Sequence, residues 1–374
     1  MIGQSFRVAS IFGIPIKVDL SWVLVLFLLT STFALNFSRE HPGLGWSTWV
    51  TMGFALSALL FASVLAHELS HAVVAIREGI SIRGITLFIF GGAAEMVDEP
   101  PHAGAELKVA LAGPAMSVSL AIVFAGVYSI GLGWFPASVL GVVGHLAFMN
   151  GVLAAFNLVP GFPLDGGRVL RAALWGIWGD LRFATRTASV LGSGFGLLIM
   201  LLGLVYLVRF GNLIGAVWYL FIGVFLRRAA RASYQQVLLR DLLKGVKAGD
   251  VMNRAVVAVS SESTLDEIVS QVILPSGLVK LPVVDGTRLV GQLGLAEIRS
   301  IDRARWKDVR AKDVMRSDGM PPAVSPQDEA TRLLSMAVRD DALIPVVDGE
   351  RFVGVVTRLD LLRRLKLMME LPRS

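Results

Sequence analysis

His67, Glu68 and His71 stand in the pattern HExxH (His67-Glu68-Leu69-Ser70-His71), two imidazoles four residues apart with a carboxylate beside the first. On a helix, positions i and i+4 share a face, so both rings can grip one metal ion. A glutamate one residue on can take a proton from water close to that metal, the task of a general base in hydrolysis. The motif lies inside a long apolar run. Glu68 precedes Arg77 by nine positions, which places it roughly 14 Å from that charge along a helix axis. Ionisable groups at such depth in hydrocarbon are expensive and need compensation, which a divalent cation supplies. The competing reading is a pair of histidines bonded only to neighbouring helices.

Catalytic zinc takes three protein ligands and leaves a fourth position open. The chain has no cysteine, so disulfides are excluded and the third ligand must be His, Asp or Glu. His41 and His102 fall in expected loops, and His145 falls towards the far end of the fourth apolar block. Asp165 is the better candidate. It closes the stretch Asn157-Leu158-Val159-Pro160-Gly161-Phe162-Pro163-Leu164-Asp165-Gly166-Gly167-Arg168, whose two prolines and three glycines argue against a regular helix. Irregular backbone at membrane depth is tolerated beside protein or a wet cavity. Taken alone, Asp165 reads better as a turn or cap residue before Gly166-Gly167.

The elements that must hold these residues are membrane helices. Of the 374 residues, 54% are hydrophobic, and the mean hydropathy of +0.66 is far outside the range of a soluble protein. Six apolar blocks reach or approach the roughly 20 residues that a bilayer demands: Leu20–Leu35, Val50–Ile76, Leu107–Ile130, Val139–Pro160, Ser189–Val208 and Leu213–Leu226. The first block lacks a small-residue cleavage pattern and reads as an anchor. Arg77, Arg83 and Lys108 lie between the second and third blocks. Arg168, Arg171, Arg182 and Arg186 lie between the fourth and fifth, and Arg227, Arg228 and Arg231 follow the sixth. The alternate loops carry at most one cation each. By the positive-inside rule both termini are cytoplasmic in a multi-pass cell-membrane protein. The net charge of +6 shows no clustering of the kind that binds nucleic acid.

Beyond about Leu226–Gln236 the composition becomes that of a soluble α/β domain, and it repeats. Asp250-Val251-Met252 returns as Asp313-Val314-Met315, Leu281-Pro282-Val283-Val284-Asp285-Gly286 as Ile344-Pro345-Val346-Val347-Asp348-Gly349, and Leu289-Val290-Gly291 as Phe352-Val353-Gly354. All three pairs share one offset (345 − 282 = 63), which marks two copies of one supersecondary unit. Each copy is expected to run strand, helix (Thr264–Val272; Asp328–Val338), strand, Gly turn, strand, helix.

HExxH in one span with NxxPxxxxLDGG in a later one resembles the site-2 protease family of intramembrane metalloproteases, over residues 1 to about 230. Gly13-Ile14-Pro15, Phe90-Gly91-Gly92 and Ala112-Gly113-Pro114 match it as well. The resemblance implies His67, His71 and Asp165 as zinc ligands, Glu68 as catalytic base, and Asn157 close to the site, where it orients the substrate carbonyl. It also implies that Ile80–Met96 forms a membrane-dipping β-structure, to which an extended substrate can pair; an ordinary cytoplasmic hairpin is the alternative. The repeated tail, about Val246–Leu367, resembles a tandem pair of cystathionine-β-synthase (CBS) domains, whose clefts often take adenine nucleotides. Gly354-Val355-Val356-Thr357-Arg358-Leu359-Asp360 matches the ribose-contacting pattern and points to Thr357 and Asp360, whereas the first copy has Gly294 and Glu297 in those places.

The expected fold is therefore a polytopic α-helical membrane protein, with about six transmembrane helices and a membrane-associated β-segment, joined to a soluble α/β tandem CBS domain. The expected divisions are a protease domain over 1–230, a linker over 231–245, and CBS copies over 246–305 and 306–370. The implied activity is regulated intramembrane proteolysis of a single-pass transmembrane substrate. Membrane lipid and ATP, ADP or AMP at the CBS pair are the further expected partners, and the pair could equally be a purely structural or homodimerising module. The rival from another class is a CBS-regulated transporter or channel that uses His67, Glu68, His71 and Asp165 as an ion path.

Overall fold

A computed structural model describes residues 5–88, 91–96, 100–318, 320–336 and 343–370. Ile89 and Phe90 of the expected β-segment, and Ala337 and Val338 of the second repeat's helix, lie outside the described residues. The chain divides into two compact units, Met1–Gln235 and Gln236–Ser374.

Among the described residues, six helices are long and apolar enough to cross a membrane: α1 (Ser21–Glu40), α2 (Trp46–Arg77), α3 (Ala103–Gly131), α4 (Ala137–Asn157), α6 (Leu181–Phe210) and α7 (Leu213–Leu243). A shorter helix, α5 (Asp165–Trp178), stands between α4 and α6. Small residues set how closely the long helices pack. The buried face of α6 is Ala184, Thr185, Ala188, Ser189, Gly192, Gly196 and Gly203, while its large side chains, such as Leu204 and Val205, stay exposed. Lipid is as apolar as leucine, so helices gain by bringing backbones together through small residues and leaving bulky ones outward. Gly53 of α2 shows the limit: a Cβ there would stand 2.5 Å from the Thr30 carbonyl and 2.8 Å from the Ala34 nitrogen of α1.

A four-stranded sheet completes the first unit, with strands β1 (Ser5–Ile11), β2 (Ile14–Asp19), β3 (Ile82–Phe88) and β4 (Gly91–Met96) in that spatial order. β1 and β2 form a hairpin, β2 runs parallel to β3 with Ile16 opposite Ile85, and β3 turns back antiparallel into β4. Ile14, Ile85 and Leu87 bury against Ala72 of α2, which fixes the sheet on the helix carrying HExxH. The sequence led us to expect the second hairpin. The N-terminal one was not anticipated, because Gly13-Ile14-Pro15 is its turn and the start of its second strand rather than a simple lead into α1.

The second unit contains the two repeated copies. β5 (Val259–Ser260) runs parallel to β6 (Lys280–Asp285), which pairs antiparallel with β7 (Arg288–Gly294); β8 (Ile344–Asp348) pairs with β9 (Arg351–Val356). The leading segment of each copy crosses to the other. Ala248 and Val251 bury with Ile344, Val346 and Leu361, whereas Val309 and Ala311 bury with Leu281, Val283 and Leu293. Backbone bridges repeat the exchange: Asn253 pairs with Val355, and Arg316, its counterpart 63 residues on, pairs with Gln292. Two cores that each borrow a segment from the neighbouring copy unfold together more readily than apart. Residues 231–243, expected as linker, are helical and continue α7.

Candidate metal centre

Both histidines of the motif lie on the buried face of α2, each 3% exposed. Their Nε2 atoms are 3.2 Å apart, and Asp165 Oδ2 is 3.1 Å from each. Asp165 opens α5, where the preceding residues turn irregularly, and an acidic side chain is favoured in a first helical turn. Gly166 and Gly167 belong to that turn, contrary to the expectation of irregular backbone through Gly167. Glycine is needed there because a Cβ on Gly166 would strike the Leu158 and Val159 carbonyls, and one on Gly167 the backbone of Gly161 and Phe162. The loop is held in turn by α6, where the Ala188 carbonyl accepts from the Phe162 N–H at 3.1 Å.

The far side of each ring is also fixed. The Val109 carbonyl of α3 is 2.6 Å from His71 Nδ1, and a carbonyl can only accept, so Nδ1 carries the proton and Nε2 presents its lone pair. His67 Nδ1 is 2.9 Å from the fully buried Ser117 hydroxyl, also on α3. Two imidazole nitrogens and a carboxylate oxygen suit zinc. Their mutual separations of 3.1–3.2 Å match the edge of a tetrahedron of about 3.3 Å built on metal–ligand bonds of about 2.0 Å. Among the described residues, His67, His71 and Asp165 are the one group of three such side chains whose ligand atoms come within 4.8 Å of one another.

Gly113 of α3 faces the two rings. A Cβ there would collide with both Nε2 atoms, so the metal-binding face of α2 needs a residue without a side chain opposite it. Gly92 of β4 has the same relation to Glu68, whose side chain fills the space a Cβ would take. The edge strand thus lies directly against the candidate base. Asn150 of α4 ties the scaffold one turn before His67, its Nδ2 donating to the Ser63 hydroxyl of α2 at 3.2 Å. Asn157 is the last residue of α4, eight positions ahead of Asp165.

The remaining histidines are engaged elsewhere. His102 caps α3, accepting from the Ala105 N–H at 3.0 Å, and His145 Nε2 is 3.5 Å from Glu40. In the second unit, Thr357 and Asp360 bond each other, the threonine hydroxyl donating to Asp360 Oδ2 at 2.6 Å as they cap the helix Arg358–Glu370. In the first copy the Gly294 N–H bonds Glu297 at 3.0 Å, and Glu297 also pairs with Arg316 at 2.8 Å. Ser117, the Val109 carbonyl and Asn150 were missed from sequence; a serine or asparagine in an apolar span is the one signal that could have flagged two of them.

Comparison with known proteins gives the chain's family. The family model described as Peptidase family M50 matches residues 55–135 and 133–201, and the CBS domain model matches 248–303 and 311–367. The chain is 31% identical over 372 residues to sll0528 of Synechocystis, named as a candidate zinc metalloprotease, covering 98% of this chain and 96% of that one. It is 30% identical over 370 residues to zinc metalloprotease MJ0392 of Methanocaldococcus jannaschii, covering 98% of each. A solved site-2 protease from Methanocaldococcus jannaschii aligns with 62% of this chain and 95% of its own at 29% identity, with a TM-score of 0.43.

Ser117→Ala should lower zinc affinity about ten- to a hundredfold, as loss of a partner to a ligating histidine typically does. Gly113→Ala should weaken it further, because the added methyl occupies the ligand face. Competition with a calibrated chelator measures both, and unchanged affinity in Ser117→Ala would show that the hydroxyl does not orient His67.

Proposed function

Because the chain belongs to the Peptidase M50 family of zinc metalloproteases and carries a CBS pair, we propose that it cleaves peptide bonds within or next to a transmembrane segment of a single-pass protein. The observation that carries this reading is the triangle of His67, His71 and Asp165 on helices apolar enough to cross a bilayer. In this reading those three residues hold zinc. Zinc bound there would supply Lewis acidity for the scissile carbonyl and for water at neutral pH.

The chain's own groups do the rest. Glu68 takes the proton from the attacking water and delivers it to the leaving amine. Asn157, at the end of α4, orients the carbonyl. Substrate must be extended before it reacts, since the amides of a transmembrane helix are satisfied internally. The open edge of β4, with Gly92 against Glu68, suits such a strand, because main-chain pairing to an edge supplies affinity without depending on side chains. An ion path would need none of this alignment between an edge strand and the carboxylate, and the relatives named above are proteases.

The same reading places both termini and the CBS pair in the cytoplasm, supported by Arg83, Arg168 and Arg171 lying between alternate pairs of spans. An adenine nucleotide at Thr357 and Asp360 regulates the protease by shifting the CBS pair between two arrangements. The ligand's ribose replaces part of the bonding these two residues now give each other. Lipid surrounds the spans, and a second copy pairs through the CBS domains.

Glu68→Gln should retain one zinc per chain and lose cleavage by about a hundred- to ten-thousandfold, as removal of a general base does. Wild-type rates in that variant, followed by gel assay in proteoliposomes, would remove Glu68 as the base. Calorimetric titration of the full chain with ATP, ADP and AMP should give heat with at least one, and silence with all three would remove nucleotide control.

A further inference from the structure

Two arginines and one glutamate meet beside the metal-ligating turn. Glu106, in the first turn of α3, is fully buried, and its Oε1 accepts from Arg171 Nε at 2.6 Å and from Arg171 Nη2. The Arg171 guanidinium also lies 5.2 Å above the Phe162 ring. Arg168 shares none of this bonding: its Nε is 4.0 Å from the same oxygen, beyond hydrogen-bond range. Glu106 Oε2 is buried without a partner, so the carboxylate is not divided between the two arginines. The acceptor that Arg168 Nη2 does meet is the Met96 thioether at 3.5 Å, a weak one. Its side chain is only 18% exposed. Among the described residues, the Arg168 charge therefore has no carboxylate within hydrogen-bond range, in a place where a guanidinium ordinarily finds strong acceptors.

The position of that charge identifies what supplies them. Arg168 follows Asp165 by three residues on α5, so ligand and guanidinium share a helix face. Met96 ends β4, the strand whose Gly92 lies against Glu68 and whose outer edge is unpaired among the described strands. A strand laid on that edge, with its reacting bond level with Gly92, reaches Met96 about four residues on, or roughly 13 Å. We propose that Arg168 selects substrates carrying a carboxylate side chain about four residues from the cleaved bond. A carboxylate fits the guanidinium fork in two parallel charge-assisted bonds, which a backbone carbonyl or an amide side chain does not. This deepens the protease reading above and rests on it.

The test uses the full-length enzyme in proteoliposomes with a substrate series. Each substrate carries a single Glu, Gln or Lys at one position, scanned across the segment flanking the cleaved bond, and KM and kcat are read separately. With wild type, Glu should lower KM about tenfold against Gln at one position near the fourth residue, the advantage of a charge-assisted pair. Arg168→Gln should erase that preference, Arg168→Lys should keep part of it, and Arg168→Glu should invert it in favour of Lys at the same position. Inversion is a result that mere damage to the fold does not produce. Equal KM for Glu and Gln throughout, or a preference that survives Arg168→Gln, overturns the proposal. No cleavage of any substrate by wild type overturns the protease reading instead.

Discussion

Three ligand atoms, contributed by residues 94 and 98 positions apart, meet within 3.2 Å of one another among helices built to lie in lipid. Polar groups buried without partners cost several kcal/mol each, so the constellation persists only if everything around it is arranged for the purpose. A cation between the donors is the economical solution, since it satisfies two lone pairs and a carboxylate at once. The surroundings are arranged accordingly. α3 fixes both rings from behind through Ser117 and the Val109 carbonyl, and α4 ties α2 one turn away through Asn150 and Ser63.

Glycine appears wherever the backbone itself must come close. Gly113 leaves room for the two imidazoles, Gly92 for Glu68, and Gly166 with Gly167 let α5 begin against the loop that delivers Asp165. A single methyl at any of these points would displace a group taking part in the chemistry, not just loosen a core. The same economy brings an edge strand to the carboxylate. Catalysis on an extended peptide and recognition of that peptide by main-chain pairing then become one geometric requirement, met by β4 lying along α2.

Much of this was legible in the chain. HExxH and the LDGG aspartate named the three side chains that the structure brings together, because metal chemistry restricts residue type and spacing more tightly than packing does. The spans were legible because a bilayer demands long apolar runs, although their ends shifted by several residues where helices continue into polar surroundings, as α2 does at Trp46 and α7 through Leu243. The N-terminal hairpin was hidden, since Phe6–Asp19 is short and its strands declare themselves only by pairing with β3. The start of α5 was misread because two glycines ordinarily oppose a helix, and only the close approach of Leu158–Phe162 explains them. The crossing of the leading segments between the CBS copies was equally invisible, because a repeat fixes the unit but not which core its first turn joins.

X-ray absorption at the zinc edge, on the full chain purified in detergent, addresses the central claim most directly. One zinc per chain bound by two imidazole nitrogens and a carboxylate oxygen at about 2.0–2.2 Å is expected, with that oxygen shell altered in Asp165→Ala. A zinc shell lacking imidazole, or a spectrum identical between wild type and Asp165→Ala, would contradict the meeting of these two distant stretches around a single ion.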